Sequence, residues 1–97
     1  MITLGIIGVG GWGKNLLRNF RELPGARVAA ACDLVEKRRA EAKARYPDLK
    51  VTGDANEIVA SPEIQAVVVA TPGATHAEIA LRCLEAGKHV FVEKPMA

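Results

Sequence analysis

The chain is poor in cysteine, in long apolar runs and in charge of one sign, and each shortage closes off a class of function. Two cysteines occur, Cys32 at the end of an apolar run and Cys83 within a helical pattern. They have neither metal-ligand spacing nor the density of a disulfide framework, so both read as packed thiols in a reducing, cytoplasmic setting. No stretch is long enough to span a bilayer, and the apolar start lacks the basic n-region of a signal peptide. The net charge is +2, from 13 Lys and Arg against 11 Asp and Glu. The basic residues are scattered, so neither nucleic acid nor an anionic membrane is expected as a partner. Internal repeats, low-complexity tracts and linkers are also missing, and 97 residues make one small domain at most, marginal for a core of its own.

What is present is concentrated in the first thirty-three residues, where the apolar run Ile2 to Ile7 meets Gly8-Val9-Gly10-Gly11-Trp12-Gly13 and an acid follows at Asp33. The run is too short for a helix and too apolar for a surface strand, and so predicts a strand buried on both faces of a parallel sheet. In the pattern G-x-G-x-x-G, Gly8 permits a sharp exit from the strand. Gly10 permits backbone to approach a pyrophosphate, and Gly13 permits close packing of the next helix. Gly11 and Trp12 contribute through their amides, at the positive end of a helix that begins near Gly13. That helix carries apolar Leu16, Leu17, Phe20 and Leu23, and a second strand, Arg27 to Cys32, leads to Asp33. Asp33 lies 20 residues after Gly13, close to the spacing of about 20 for an acid that accepts hydrogen bonds from the adenosine ribose. The plainer reading of Asp33 is a helix cap. These residues predict NAD as cofactor, with NADP disfavoured by the carboxylate. Lys37, Arg38 and Arg39 alternate with Glu36 and Glu41 as a solvated helix face would; the competing reading is that one of them reaches an adenosine 2′-phosphate.

The rest of the chain repeats the alternation. Pro24-Gly25 ends the first helix, and a second, around Val35 to Arg45, leans on small Ala40, Ala42 and Ala44 until Tyr46-Pro47 stops it. Lys50-Val51-Thr52 supplies a short edge strand, and Asp54 with Glu57 imitates a capping box for a brief helix ended by Ser61-Pro62. Ala66 to Ala70 is a second strand buried on both faces, ending in Thr71-Pro72-Gly73. Thr75 and Glu78 predict a capping box for a helix with buried Ile79, Ala80, Cys83 and Leu84 and a C-terminal Gly87. The last strand, His89 to Val92, runs into Glu93-Lys94-Pro95. The fold class is therefore α/β, a doubly wound parallel sheet of the Rossmann type, in the order 3-2-1-4-5 with its ligand across the carboxyl ends.

Gly8-x-Gly10-x-x-Gly13, Ala70-Thr71-Pro72 with Thr75-His76, and above all Glu93-Lys94-Pro95 make the chain resemble, over its whole length, the N-terminal domain of the Gfo/Idh/MocA oxidoreductase family. The resemblance implies hydride transfer between a nicotinamide cofactor and a sugar, sugar-nucleotide or cyclitol hydroxyl. It matches Lys94 to the family's catalytic lysine, sets Glu93 and Thr71-Pro72 along the nicotinamide ribose, and allows a cis peptide bond before Pro95. His76 either points into solvent or touches the cofactor ribose, and His89 is structural. Gly10 to Asn15 looks most like the branch that oxidises nucleotide-linked amino sugars or their uronates. The resemblance further implies a homo-oligomer for the full-length enzyme.

Family members continue into a sixth strand and a substrate-binding α/β domain. This chain therefore reads as the cofactor-binding portion, residues 1–97, of a longer enzyme, truncated after the fifth strand and inactive alone, with an apolar strand edge prone to self-association. The competing function class is a nucleotide-binding module without chemistry. Lys94 favours the enzyme, and the missing domain favours the module.

Overall fold

The computed structural model describes the backbone of residues 1–10, 12–71 and 73–92, and the side chains of these apart from Trp12 and residues 73–76. Nine elements follow one another: β1 (Ile2–Ile7), α1 (Trp12–Glu22), β2 (Ala26–Cys32), α2 (Glu36–Arg45), β3 (Lys50–Thr52), α3 (Ala55–Val59), β4 (Ala66–Val69), α4 (Gly73–Glu85) and β5 (His89–Val92). The strands form one parallel sheet in the order β3-β2-β1-β4-β5. The expected order is thus the observed one, and the chain reverses its direction of travel across the sheet at β1 and β4.

Burial on both faces follows from strands that are apolar at successive positions rather than at alternate ones. In β1, Ile6 packs with Leu16, Leu17, Val28, Ala42 and Val68 on one face. Its neighbour Ile7 packs with Ile58, Val67, Val69, Ile79 and Cys83 on the other. Helices α1 and α2 cover the first face and α3 and α4 the second. Gly5 makes the second face possible near α3, because a Cβ there would come within 2.7 Å of Ile58 Cγ2, and Ile58 is completely buried.

The helix ends show where side-chain patterns mislead. Asp54 caps α3 as expected, its Oδ1 accepting from the Asn56 amide at 2.9 Å. Glu57 does not complete a capping box: its carboxylate accepts from the Thr52 hydroxyl, which in turn accepts from the Asp54 amide. Helix α4 begins at Gly73, so Thr75 and His76 lie inside its first turn rather than at its cap and first position. A Thr-x-x-Glu pattern fits a helix interior as well as a start. Ile79 and Cys83 are buried as expected, but Leu84 is exposed, as is Leu23 beyond the end of α1.

Gly87, at φ +81°, ends α4 in a Schellman arrangement. Its amide donates to Leu84 O at 3.0 Å and the Lys88 amide to Cys83 O at 3.0 Å. The turn aims Lys88 inward, where Nζ donates to Ser61 O (2.6 Å) and Ile64 O (2.7 Å), locking the entry to β4 against the exit from α4. On the sheet's outer edge Phe91 meets Phe20 edge-to-face at 6.1 Å. Phe91 and Val92 nonetheless remain exposed, so β5 is an apolar edge strand as the sequence predicts. No helix is long and apolar enough to cross a membrane among the described residues.

Lys88→Met keeps the apolar stem and removes the ammonium from two carbonyls. The expected loss is about 1–2 kcal/mol of unfolding free energy, read as a lower urea midpoint at unchanged slope; an unchanged midpoint would show the two bonds to be dispensable.

Candidate functional site

The carboxyl ends of β1, β2 and β4 converge on Gly8. Its amide donates to Cys32 O at 2.7 Å and the Ala70 amide to Ile7 O at 2.8 Å, which ties all three strand ends together. At φ +98°, Gly8 is in the left-handed region, and a Cβ on it would lie 2.9 Å from the carbonyl carbon and oxygen of Ala70. Gly13 is constrained harder: a Cβ there would collide with the Gly8 carbonyl oxygen, so the first turn of α1 rests directly on the turn that precedes it. Gly10 is different. The space its Cβ would occupy is taken by the Arg38 side chain from α2, a movable group rather than backbone.

Asp33 is buried and bound into the same turn. Its Oδ2 accepts from the Val9 amide at 3.0 Å and its Oδ1 from the Val35 amide at 2.9 Å. The cap position of α2 belongs to Val35, which makes no side-chain capping bond, so Asp33 does not cap that helix in the ordinary way. An ionised carboxylate offers about four acceptor sites, and two are used, which leaves capacity for two ribose hydroxyls.

Around this carboxylate stand two arginines. Arg38 Nη1 lies 3.9 Å from Asp33 Oδ2, and Arg39 Nη1 donates to Asp33 O (2.8 Å) and Leu34 O (3.1 Å). Arg39 is thus tied to the loop rather than free in solvent, whereas Arg38, half exposed, keeps the solvated character the sequence suggests. The signal was their place five and six residues after Asp33, in the first turns of the helix that the acid introduces.

Thr71 lies two residues past the end of β4, and its amide lies 3.2 Å from the Cβ position of Gly8. Its Oγ1 is buried with no hydrogen-bond partner among the described residues. A buried hydroxyl left unpaired is costly; a polar ligand lying across the switch point would satisfy it. Gly-lined backbone at a helix start, an acid with spare acceptor sites and an orphaned hydroxyl together fit the phosphates and riboses of a dinucleotide.

A family model, that of Gfo/Idh/MocA, described as an oxidoreductase family with an NAD-binding Rossmann fold, matches residues 2–97. The chain belongs to this family. Inositol 2-dehydrogenase of Gluconacetobacter diazotrophicus is 41% identical over 99% of the chain and 29% of its own length. Apo scyllo-inositol dehydrogenase of Lactobacillus casei superposes with a TM-score of 0.88 at 33% identity, over 98% of this chain and 29% of that one. GenD2 from gentamicin A biosynthesis, in complex with NAD, gives a TM-score of 0.88 at 31% identity, over 97% of this chain and 27% of that one. The chain thus spans less than a third of the length of these relatives. Curated relatives among these are inositol dehydrogenases and do not single out the amino-sugar uronate branch suggested by Gly10 to Asn15; six residues of a phosphate turn carry little information about the substrate.

Within this Gfo/Idh/MocA domain the structure brings together Gly8, Gly10, Gly13, Asp33 and Thr71. Gly11, Pro72, Glu93, Lys94 and Pro95 lie outside the described residues. So do the side chains of Trp12 and His76, whose backbones belong to the first turns of α1 and α4. A depression of about 550 Å³ lies at the opposite end of the sheet, between Ile2, Gln65, Lys88 and His89. Two of its polar groups are already engaged, Lys88 as above and Gln65 Oε1 on the Thr3 amide. Among the described residues no group of three or more His, Cys, Asp or Glu could hold a metal ion.

Cys32 sits one residue before Asp33 with its thiol pushed up to about 11, first by burial and then by the Asp33 charge. Burial also raises the Cys83 thiol. Both are free and inert, as the sequence suggests. For Cys32 the folded state holds its proton where an unfolded thiol, at 9.0, releases it. Stability from this group is therefore complete below 9.0 and lost as pH rises towards about 11. A thiol reagent at pH 8 should modify neither cysteine until the protein is unfolded; rapid labelling of the native protein would contradict the packing.

Proposed function

We propose that the chain, residues 1–97, is the cofactor-binding part of an oxidoreductase that transfers hydride between NAD and a hydroxyl of a cyclitol, sugar or sugar nucleotide. The observation that carries this reading is the bond from the Val9 amide to Asp33, which holds an acid with spare acceptor sites against the glycine turn. The names of the relatives, inositol dehydrogenases, favour a cyclitol among the substrates. The exposed apolar edge of β5 favours further chain or a second subunit beside it, in keeping with a homo-oligomer, and the packed thiols favour the cytoplasm.

In this reading the amides of Gly11 and Trp12, with the backbone at Gly10 and the N-terminus of α1, hold the pyrophosphate. Asp33 accepts from the adenosine ribose hydroxyls. Thr71, Pro72, His76, Glu93 and Pro95 line the nicotinamide ribose, and Thr71 Oγ1, unpaired among the described residues, can bond to it there. When bound, NAD supplies the hydride acceptor. Lys94, one residue past Glu93, resembles the family's catalytic lysine, and in this reading it meets the oxygen of the reacting carbon. There it takes up the hydroxyl proton or orients the substrate while another group takes it.

The Asp33 carboxylate repels a 2′-phosphate and accepts from free hydroxyls. Calorimetric titration should therefore give tighter binding of NAD(H) than of NADP(H), and equal or inverted affinities would refute the role given to Asp33. In the full-length enzyme, Lys94→Ala should leave NAD affinity nearly unchanged and lower turnover by a factor of about 10²–10⁴, the usual contribution of a positioned acid or base. Near-normal turnover would remove Lys94 from the chemistry.

A further inference from the structure

Asp33 is held at four points, and three of its partners are main chain. Its amide donates to Thr52 O at 3.1 Å, and its two carboxylate oxygens accept from the Val9 and Val35 amides. The fourth point is its own carbonyl, which accepts from Arg39 Nη1 at 2.8 Å, and the same nitrogen donates to Leu34 O at 3.1 Å. Among the described residues Arg39 is therefore the one side chain from outside the loop between β2 and α2 that hydrogen-bonds to it. It stands at the end of the first turn of α2, and its guanidinium folds back over the residues that lead into its own helix.

A second observation fixes where that guanidinium lies. Gly53, in the turn after β3, is not among the glycines with positive φ, so its backbone conformation does not call for glycine. A Cβ there would lie 2.9 Å from Arg39 Nη1 and 3.2 Å from its Cζ, and the three atoms nearest that position all belong to Arg39. The missing side chain makes room for the arginine. The turn after β3 thus supports the acid twice, directly through Thr52 O and indirectly by seating Arg39.

A carboxylate presents its free acceptor sites to a ligand in one orientation only if the backbone that carries it is fixed. With the guanidinium removed, the carbonyls of Asp33 and Leu34 turn to water and the peptide planes on either side of them gain freedom. A ligand must then order them on binding, at a cost in affinity that a preorganised loop avoids. We propose that Arg39 is a positioning residue of the dinucleotide site. Without touching the cofactor, it holds the Asp33–Leu34 backbone in the orientation in which the carboxylate meets the adenosine ribose, and position 53 is glycine to admit it.

The inference rests on the proposed function, and the experiment keeps the two apart. NAD and its analogue lacking the adenosine 2′-hydroxyl are titrated calorimetrically into the protein and into Arg39→Ala, Arg39→Lys, Gly53→Ala and the variant carrying both alanines, with thermal unfolding as a check that each is folded. In Arg39→Ala, NAD affinity should fall about three- to thirtyfold, the range for residues that act on a ligand they do not touch. The analogue should lose less, since it donates one hydrogen bond fewer to the carboxylate, whereas a general loosening of the fold would weaken both alike. Arg39→Lys should recover part of the loss, because one nitrogen serves both carbonyls, as the Lys88 nitrogen serves those of Ser61 and Ile64. Gly53→Ala should weaken NAD binding by displacing the flexible guanidinium, and should add nothing once Arg39 is alanine. Unchanged NAD affinity in a folded Arg39→Ala overturns the assignment, as do equal losses for NAD and the analogue. Should Arg39→Ala fail to fold, Gly53→Ala carries the test, and unchanged NAD affinity there overturns the assignment too. Failure of the unmodified protein to bind NAD overturns the dinucleotide site itself.

Discussion

Contact between backbone and backbone, with no room for a side chain, is the constraint on which this domain depends. The start of α1 rests on the exit of β1 at Gly13 and Gly8, and that exit rests on the end of β4 at Ala70. A Cβ at Gly13 would lift α1 from the sheet, and with it Leu16 and Leu17, which fill the first face of the core. Overpacking of this kind costs about 1–3 kcal/mol when a side chain can yield. Here the obstruction is a carbonyl oxygen that cannot. The same packing sets the N-terminus of α1 at the carboxyl end of the sheet, where the proposed function puts a pyrophosphate.

That coupling explains why so much of the fold was legible. Glycines at fixed spacing after an apolar run report a backbone requirement, and backbone requirements are few in kind. Strands apolar at successive positions report burial on both faces, and a doubly buried parallel strand has few architectures open to it. The sheet order, the five strands and the place of Asp33 could therefore be reasoned from residues alone.

Less legible were features set by a choice among equivalent partners. Glu57 could reach the Asp54 amide or the Thr52 hydroxyl, and the structure takes the hydroxyl, a long-range outcome that a four-residue pattern does not encode. The start of α4 shows the same, since Thr75 satisfies a capping pattern without occupying the cap. Gly5 escaped notice because its partner Ile58 is more than fifty residues away in the chain. Arg38 and Arg39 looked like a solvated face because sequence gives the period of a helix but not the direction in which a flexible cation folds back. Of the site, the residues with backbone roles could be read; for the arginines beside the carboxylate the sequence left two readings open, a solvated face and a reach towards the adenosine ribose.

The two ends of the sheet handle buried charge by the same means and to different effect. At the amino end, Lys88 is surrounded by carbonyls that take up its donors, and the result is a closed structural tie. At the carboxyl end, Asp33 is surrounded by amides that use one acceptor site on each oxygen. A carboxylate held by one amide on each oxygen keeps part of its hydrogen-bonding capacity, whereas one gripped by a bidentate guanidinium has its charge matched and its in-plane acceptor sites taken. Arg38, at 3.9 Å and half exposed, stays outside such a pairing. The carboxylate is thereby fixed in place by the backbone of its own turn while remaining available to something else, which is the condition a binding acid must meet and a structural acid need not.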